Sequence, residues 1–239
     1  MRPTVVLVHG AFAESSSWNG VLARLSEAGL PAVAFANPLR SVAADAEALS
    51  DRLRTIDGPV VLVGHSYGGM VITNVDQSAA EIVAAVYVCA FAPDLGESAN
   101  ELAAKFPGST LAEALEPVAR GDAGETDLYI TKARFHSQFC ADVNGDTAAR
   151  MYETQRPITL EALQEPSSDE RCLWKDVPTY SVVGAEDRNI PAETQRFMAG
   201  RAGARRTLEL ADGSHAVAVA QPGPIVEVVL EAAAAPVAS

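Results

Sequence analysis

The chain has 239 residues, with 18 Lys and Arg against 31 Asp and Glu, which gives a formal net charge of −13 at pH 7. Hydrophobic residues make up 48% of the chain and charged residues 21%, as in a globular protein rather than a disordered one. The acidic balance argues against nucleic-acid binding, in which clustered Lys and Arg neutralise phosphates, and also against binding to anionic membranes. We therefore expect neither a nucleic acid nor a membrane as partner.

The N-terminus and the cysteines predict a cytoplasmic protein. The first apolar run, residues 5–8, is too short for the apolar part of a signal peptide, and no later run reaches the ~18 apolar residues of a membrane span. Cys89, Cys140 and Cys172 are too widely spaced to form a Cys-x-x-Cys pair, and their odd number gives no disulfide framework. We expect buried, reduced thiols.

Short apolar runs alternate with amphipathic stretches in both the first and the last part of the chain. The apolar runs predict strands at residues 4–8, 30–36, 59–63, 82–91, 179–183 and 206–210. The amphipathic stretches predict helices at residues 21–28, 42–56, 70–80, 192–199 and 224–235. Continuous β-branched runs that alternate with helices are typical of strands buried on both faces of a parallel sheet. The sequence therefore predicts an α/β protein with a mostly parallel central sheet flanked by helices.

This alternation breaks between the fourth and the fifth predicted strand. The intervening residues lack a strongly buried strand and carry short helical patterns at 99–106, 111–119 and 147–154. A structureless loop of such length is improbable inside a compact domain. We therefore expect residues 94–177 to form an inserted helical lid, here called the lid segment, and residues 1–93 and 178–239 to form the core.

The strongest local motif is Gly64-His65-Ser66-Tyr67-Gly68, between a predicted strand and a predicted helix. It is Gly-x-Ser-x-Gly in the strand–turn–helix context of a nucleophile elbow. The two glycines remove Cβ atoms that would collide with the neighbouring strand and helix. The turn leaves the Ser66 hydroxyl exposed beside the partial positive charge of a helix N-terminus. The motif predicts Ser66 as a catalytic nucleophile.

A serine hydroxyl needs a base to accept its proton, and the chain has four histidines. His65 lies inside the elbow with its side chain directed away from Ser66, and His136 lies in the lid segment. His215 follows the last predicted strand in a turn-rich loop, in agreement with the order nucleophile, acid, base. We predict His215 as the base, with His136 as the less favoured alternative and His9 as a structural residue of its loop.

The base needs a carboxylate that fixes its tautomer and stabilises the imidazolium. Asp187 follows the fifth predicted strand and is our predicted acid. Two rivals remain open. Glu186 is adjacent but should point the other way, and Asp94 follows the fourth predicted strand, where such an acid could also lie.

The oxyanion formed on acylation needs preorganised N–H donors. We expect one from the backbone of Tyr67, which follows the nucleophile, and one from Ala11 in the loop after the first strand. Five aromatic residues are candidates for lining a substrate pocket: Phe12, Trp18, Phe135, Phe139 and Trp174. The chain has no His-x-x-x-His, no cysteine cluster and no Gly-x-Gly-x-x-Gly after the first strand, so we expect neither a metal nor a cofactor.

With these motifs, the chain resembles the α/β-hydrolases, and within them the group of plant hydroxynitrile lyases, plant methyl esterases and their bacterial relatives. The resemblance covers nearly the whole chain and includes the spacing from Asp187 to His215, the Gln195-Arg196-Phe197 stretch and the position of the lid segment. It implies an α/β-hydrolase fold and, by analogy with the plant relatives, a possible homodimer.

The group divides by chemistry at two positions. The resembling lyases carry a threonine after the histidine of the first loop and a lysine after the catalytic histidine, which serve the cyanohydrin and the departing cyanide. This chain has Gly10 and Ala216 there. The resemblance therefore implies a serine carboxylesterase that acts through an acyl-enzyme on Ser66, and the number of candidate pocket aromatics favours small to medium apolar esters. The alternatives are elimination by the same Ser/His pair and a non-catalytic ligand-binding protein of this fold.

Overall fold

The structure is a computed structural model that describes residues 2–121, 125–168 and 172–234. The strands are β1 (Thr4–Val8), β2 (Ala32–Phe35), β3 (Pro59–His65), β4 (Glu81–Val88), β5 (Leu115–Arg120), β6 (Glu125–Ile130), β7 (Ile158–Thr159), β8 (Thr179–Gly184) and β9 (Arg206–Leu210). The helices are α1 (Asn19–Glu27), α2 (Val42–Leu53), α3 (Gly68–Thr73), α4 (Ala99–Ala103), α5 (Lys132–Phe139), α6 (Gly145–Glu153), α7 (Leu160–Gln164), α8 (Ala192–Arg201), α9 (Val217–Ala220) and α10 (Pro222–Ala234).

The central sheet has six strands in the order β2-β1-β3-β4-β8-β9, and each neighbouring pair is parallel. Its four inner strands, β1, β3, β4 and β8, are largely buried on both faces. In β1, Val5 and Leu7 belong to one apolar cluster, whereas Val6 and Val8 belong to the cluster on the opposite face. This two-sided burial is why the strands appear as continuous apolar runs. The predicted α/β class with a mostly parallel sheet flanked by helices is confirmed.

Two predicted elements end earlier than expected. The strand predicted to reach residue 91 ends at Val88, because Cys89 has a φ of +43°, outside the extended region. The helix predicted for residues 70–80 ends at Thr73. There both the side chain of Asn74, at 2.9 Å, and its backbone N–H, at 3.3 Å, donate to the carbonyl of Met70.

The lid segment contains strands as well as helices, so the expectation of a wholly helical lid is wrong. Strands β5, β6 and β7 form a three-stranded sheet in which both pairs are antiparallel. The helix predicted over residues 111–119 is only a 3₁₀ turn, Leu111–Ala114, followed by β5. Pro117 has no N–H to donate within a helix, which favours the extended alternative. The alternation of buried Leu128 and Ile130 in β6 is the period-2 signal that would have revealed this sheet.

Arg40, in the loop before α2, joins the lid sheet to the core. Its guanidinium donates to Asp127 Oδ1 at 2.7 Å and to the carbonyl of Pro157 at 2.8 Å. In return, the Thr159 hydroxyl donates to the carbonyl of Arg40 at 2.7 Å. These bonds fix β6 and β7 against the end of the central sheet.

The three cysteines are all buried and form no disulfide. Burial raises the pKa of Cys140 to about 12 and raises that of Cys89 as well, so these thiols stay protonated at neutral pH. Among the described residues, no helix is both long and apolar enough to cross a membrane.

We expect Arg40→Met to lower the free energy of unfolding by about 1.5–3 kcal/mol, because charge-assisted hydrogen bonds between the lid sheet and the core are lost. Urea denaturation measures this change, and amide hydrogen exchange should accelerate in β6 and β7 but not in β3. Arg54→Met is the matched control, since Arg54 pairs with Asp51 and Asp76 at the exposed surface and should cost less than about 1 kcal/mol. Equal losses in both variants would contradict the role of Arg40.

Candidate active site

Loops that follow four strands of the central sheet bring the predicted catalytic residues together. Ala11 follows β1, Ser66 follows β3, Asp187 follows β8 and His215 follows β9. Because all these strands are parallel, their carboxyl ends meet at one edge of the sheet, where ligands bind in open α/β folds.

The turn at Ser66 has the backbone strain expected of a nucleophile elbow. Ser66 has a φ of +55°, a left-handed conformation that is uncommon for residues other than glycine. A Cβ at Gly68 would overlap the carbonyl oxygen of Val8, and a Cβ at Gly64 would lie 2.8 Å from the carbonyl oxygen of Gly68. The glycines therefore permit a close approach of strand, turn and helix that no side chain allows.

His215 and Asp187 form a fully buried pair. Nδ1 of His215 donates to Oδ2 of Asp187 at 2.7 Å, and both side chains have 0% exposure. Since a carboxylate only accepts, Nδ1 carries the proton, which leaves the lone pair on Nε2. His215 is thus in the tautomer that can accept a proton from a serine.

Four hydrogen bonds hold the Asp187 carboxylate. Oδ1 accepts from the backbone N–H groups of Asn189 at 2.8 Å and Ile190 at 3.0 Å. Oδ2 accepts from the Gln195 side chain at 2.8 Å as well as from His215. Sequence reasoning assigned no role to Gln195, because a glutamine in a helix carries no signal of its own, although it belongs to the stretch on which the resemblance rested.

The serine and the base are not hydrogen-bonded in this structure. Nε2 of His215 is buried and has no partner among the described residues. The Ser66 hydroxyl lies instead beside Gly10, where a Cβ would be 3.0 Å from Oγ. Catalytic hydrogen bonds of this kind often tighten only when the substrate binds.

The other histidines do not contact Asp187. Burial lowers the pKa of His65 to about 3, and its Nε2 donates to the carbonyl of His215 at 2.8 Å. Burial also lowers the pKa of His9 to about 4; its Nδ1 donates to the carbonyl of Gly10 at 2.9 Å, and its Nε2 accepts from the backbone N–H of Asn37 at 3.1 Å. His136 is exposed on α5. His65 and His9 therefore stay neutral and structural, as expected for His9.

The two rival acids also lie away from His215. The Asp94 carboxylate forms an ion pair with Lys175, and this hydrogen bond holds the pKa of Asp94 below its usual range. Glu186 points to solvent, as expected of the neighbour of a buried carboxylate.

Ala11 and Tyr67 line the Ser66 cavity described below, and their backbone N–H groups are candidate donors. Neither has a hydrogen-bond acceptor within residues 2–121, 125–168 and 172–234. The next residue of the first loop, Phe12, has a φ of +59° and donates its own N–H to the carbonyl of Arg156 in the lid segment at 2.9 Å. This contact turns the loop and leaves the Ala11 donor unpaired, as an oxyanion site requires.

The Tyr67 side chain connects the elbow to α2. Its hydroxyl donates at 3.0 Å to Asp45, a fully buried carboxylate of α2 that also accepts from the backbone N–H of Arg40. Burial raises the pKa of Asp45 to about 6. An aspartate in a helix of ordinary amphipathic pattern gives no sequence signal for this role, which only the packing of α2 on α3 creates.

A cavity at Ser66, here called the Ser66 cavity, encloses about 420 Å³ of empty space, its open mouth included. Ser66, Ala11 and Tyr67 lie in its wall together with two polar side chains, Asn100 and Asn189. The apolar part of the wall comes from Phe12, Phe91, Ala99, Ala103, Leu111, Leu163 and Ile190. A mainly apolar wall with a few polar groups is typical of sites that bind small organic molecules.

Of the five aromatic residues predicted to line a pocket, Phe12 lines the Ser66 cavity. The other four lie outside its wall and pack in or against the core: Trp18, Phe135, Phe139 and Trp174. Phe139 packs its ring edge-on against His215, with centroids 5.2 Å apart, and stacks on Phe135. Aromatic residues provide large buried area wherever they pack, so residue type alone does not identify a pocket wall.

The end of α5 clamps the loops of both His215 and Asp187. The Gln138 side chain donates to the side-chain oxygen of Asn189 at 2.9 Å. Asp142 accepts from the backbone N–H of Ser214 at 3.1 Å and from the Ser214 hydroxyl. The lid segment thus contacts the residue before His215 and a residue two positions after Asp187, which fixes the relative position of the two loops.

We expect Asp142→Ala to slow labelling of Ser66 by a fluorophosphonate probe about 10- to 100-fold, since a loosened Ser214 displaces the base beside it. Asp142→Asn should restore much of the rate, because its amide oxygen can still accept. Asp146→Ala, at the exposed start of α6, is the matched control and should label at the wild-type rate. Normal labelling of Asp142→Ala would contradict the clamp.

Comparisons with known proteins agree with this geometry. Residues 5–228 match the sequence model of the alpha/beta hydrolase family. Salicylic acid-binding protein 2 from Nicotiana tabacum is 26% identical over 266 residues, covering 95% of this chain and 96% of that protein. Methylesterase 9 from Arabidopsis thaliana is 25% identical over 231 residues, covering 88% of this chain and 90% of that protein. The crystal structure of polyneuridine aldehyde esterase superposes with a TM-score of 0.82 at 21% identity, covering 97% and 99% of the two chains, and shares the fold.

Proposed function

The chain belongs to the α/β hydrolase family, and we propose that it is a serine carboxylesterase acting on small-molecule esters through an acyl-enzyme on Ser66. One observation carries the proposal: His215, held by Asp187 at 2.7 Å, keeps its Nε2 buried and unpartnered among the described residues, while Ser66 stands at a strained turn. Relatives named as esterases and methylesterases support the same reaction class.

In the acylation step, the Ser66 hydroxyl attacks the ester carbonyl and its proton passes to Nε2 of His215. Asp187 stabilises the imidazolium that forms. The carbonyl oxygen becomes an oxyanion and accepts hydrogen bonds from the backbone N–H groups of Ala11 and Tyr67. When the tetrahedral intermediate collapses, Nε2 returns the proton to the departing alcohol, and the acyl group remains on Oγ.

In the deacylation step, water attacks the acyl-enzyme carbonyl while His215 again accepts the proton. The same donors hold the second oxyanion, and collapse returns the proton to Ser66 and releases the acid. The imidazole ring of His65 lies next to that of His215, with the two ring centroids 4.8 Å apart. Its lowered pKa keeps His65 uncharged during both steps. The positive charge therefore develops on His215 alone, next to Asp187.

The packing around Gly10 favours ester hydrolysis over elimination of the lyase type. A Cβ at Gly10 would lie 2.5 Å from the Cβ of Ser66 and 2.8 Å from the carbonyl oxygen of His65, so a threonine there requires a shift of the elbow. Ala216, after the base, is buried and supplies no ammonium group. The two groups expected to serve a cyanohydrin are therefore missing from the site.

The contacts of α5 with the loops of His215 and Asn189 support a lid-and-core organisation of the chain. Residues 94–177 act as a lid on a core formed by residues 1–93 and 178–239, and they fix the catalytic loops while bounding the Ser66 cavity. The homodimer, the cytoplasmic location and the preference for small to medium apolar esters stay predictions from the sequence.

With p-nitrophenyl acetate in a stopped-flow assay, we expect a burst of p-nitrophenol stoichiometric with enzyme, followed by steady turnover. Ser66→Ala should abolish the burst and lower kcat at least about 10³-fold, because the nucleophile is gone while the fold is retained. Circular dichroism of the variant provides the control for folding. Undiminished turnover by Ser66→Ala would falsify the nucleophile assignment, and cyanohydrin cleavage without an ester burst would support the elimination chemistry instead.

We expect Asp187→Asn to lower kcat about 10⁴-fold, since an amide cannot hold the Nδ1–H tautomer or stabilise the imidazolium. Asp94→Asn makes the same chemical change at the rival position and should alter kcat less than about twofold. The two variants are compared in the same ester assay at neutral pH. The reverse order of losses would assign the acid role to Asp94.

A further inference from the structure

One buried polar side chain in the wall of the Ser66 cavity carries a hydrogen-bond donor that the protein itself does not use. Asn189, in the loop after β8, lines the cavity and is only 3% exposed. Its backbone N–H donates to Asp187 at 2.8 Å, and its backbone carbonyl accepts from the Ser109 hydroxyl at 2.9 Å. The side-chain amide is therefore the part of Asn189 that remains to bind a ligand.

Gln138 on α5 fixes the direction in which this amide points. Its Nε2 lies 2.8 Å from the backbone carbonyl of Arg188, which can only accept, so Nε2 is a donor at this place. The same Nε2 lies 2.9 Å from the side chain of Asn189 and needs an acceptor there, which is Oδ1. Because a reversed Asn189 amide would bring two NH2 groups together, the hydrogen bonds assign its orientation, and Nδ2 is turned away from Gln138.

The Nδ2 group of Asn189 is left for an occupant of the cavity. Among the described residues, no acceptor lies within hydrogen-bond distance of Nδ2. Unlike Nε2 of His215, Nδ2 is not fully enclosed by the described residues, so it retains contact with open space. The Ser66 cavity is the space that Asn189 lines, and Ser66 lines it as well. An ester at Ser66 therefore shares one cavity with a free NH2 group.

An occupant without an acceptor leaves this donor unpaired. A bound alkyl group displaces the water that Nδ2 would otherwise bind, and a buried donor that loses its partner costs free energy. An oxygen atom at the same place binds the donor instead. Within the described part of the chain, no Asp, Glu, Lys or Arg side chain lines the cavity, so nothing there would pair with a charged oxygen. The acceptor that fits is a neutral carbonyl or ether oxygen.

We propose that Asn189 is a specificity-determining residue and that the substrates are esters with a second neutral oxygen acceptor, which binds Nδ2 of Asn189. This oxygen is a carbonyl or ether oxygen additional to the ester group. The inference rests on the proposed function and specifies its substrate class. It narrows the apolar esters expected from the sequence, because one donor of fixed direction interrupts an otherwise mainly apolar wall.

The test uses pairs of esters that differ by the exchange of one CH2 group for an ether oxygen. The p-nitrophenyl pairs are butyrate and methoxyacetate, pentanoate and 3-methoxypropionate, and hexanoate and 4-methoxybutyrate; butyl acetate and 2-methoxyethyl acetate make the exchange in the alcohol. The ether-to-alkyl ratio of kcat/KM is compared between wild type and Asn189→Leu, which cancels the intrinsic reactivity of the esters. In at least one pair we expect the ratio to fall about 3- to 10-fold in the variant, as for one lost hydrogen bond between neutral groups. Unchanged ratios in all pairs, with intact turnover of the alkyl esters, would overturn the inference and leave the proposed function standing.

Asn100→Leu is the matched control. Asn100 is the other asparagine that lines the cavity, but it is exposed, so water can satisfy its amide when a substrate binds. We expect the ether-to-alkyl ratios of this variant to stay within about twofold of the wild-type ratios. Equal falls in both variants would assign the effect to the general polarity of the wall rather than to the oriented donor of Asn189, and would overturn the inference.

A binding measurement tests the donor without turnover and with Asn189 in place. Ser66→Ala protein labelled with 15N-asparagine is titrated with methyl esters of the same acids and with the acetate pair, and the side-chain NH2 signals are followed by NMR. The Asn189 signal is identified by its absence from the Ser66→Ala/Asn189→Leu spectrum. We expect the ether ester of at least one pair to move this signal downfield further than its alkyl partner does. Equal shifts in every pair would count against the inference even if the proposed function fails.

Discussion

The hydrogen bond between Asp187 and His215 is the constraint on which the rest of the site depends. It is buried from solvent on both sides, and an imidazole in the opposite tautomer would place a lone pair against the carboxylate. The surrounding structure serves this pair. The Gln195 side chain and the backbone of the loop after β8 donate hydrogen bonds to the Asp187 carboxylate. The ring of Phe139 packs edge-on against the imidazole of His215. In the proposed mechanism, an imidazole held in this way needs only a serine at the right distance.

The position of that serine is a matter of backbone geometry rather than of side-chain interactions. Ser66 occupies a left-handed conformation that costs on the order of 1–3 kcal/mol, and the surrounding packing must stabilise it. Gly68 lets the elbow approach the end of β1, and the hydroxyl of Tyr67 binds Asp45 on α2. The same approach brings Gly10 against Ser66, which leaves no room for a side chain at position 10. One steric constraint therefore shapes both the nucleophile and the chemistry available beside it.

The lid segment contacts the site in two places. Gln138 at the end of α5 and Asp142 just after it bind the loops that carry Asp187 and His215, and residues of α4 and α7 line the Ser66 cavity. Arg40 fixes the same segment to the core. The loops after the parallel strands carry Ser66, Asp187 and His215, while the lid segment supplies part of the cavity wall beside them.

The sequence by itself determined the parallel sheet, the elbow and the order of Ser66, Asp187 and His215, because each leaves a local signal. Two-sided burial produces continuous apolar runs, a strained turn requires glycines, and polar residues after strands mark one edge of the sheet. The lid sheet escaped the sequence reasoning, since short alternating strands such as β6 resemble loops and Pro117 lies within a helical pattern. Only the tertiary structure decided that Phe12 lines the cavity while Trp18 and Phe139 pack behind it, and that Gln195, Asp45 and Asp142 support the site. Such roles depend on contacts between residues far apart in the chain, and the physical reason is that a buried ring or a polar side chain takes its function from its neighbours rather than from its type.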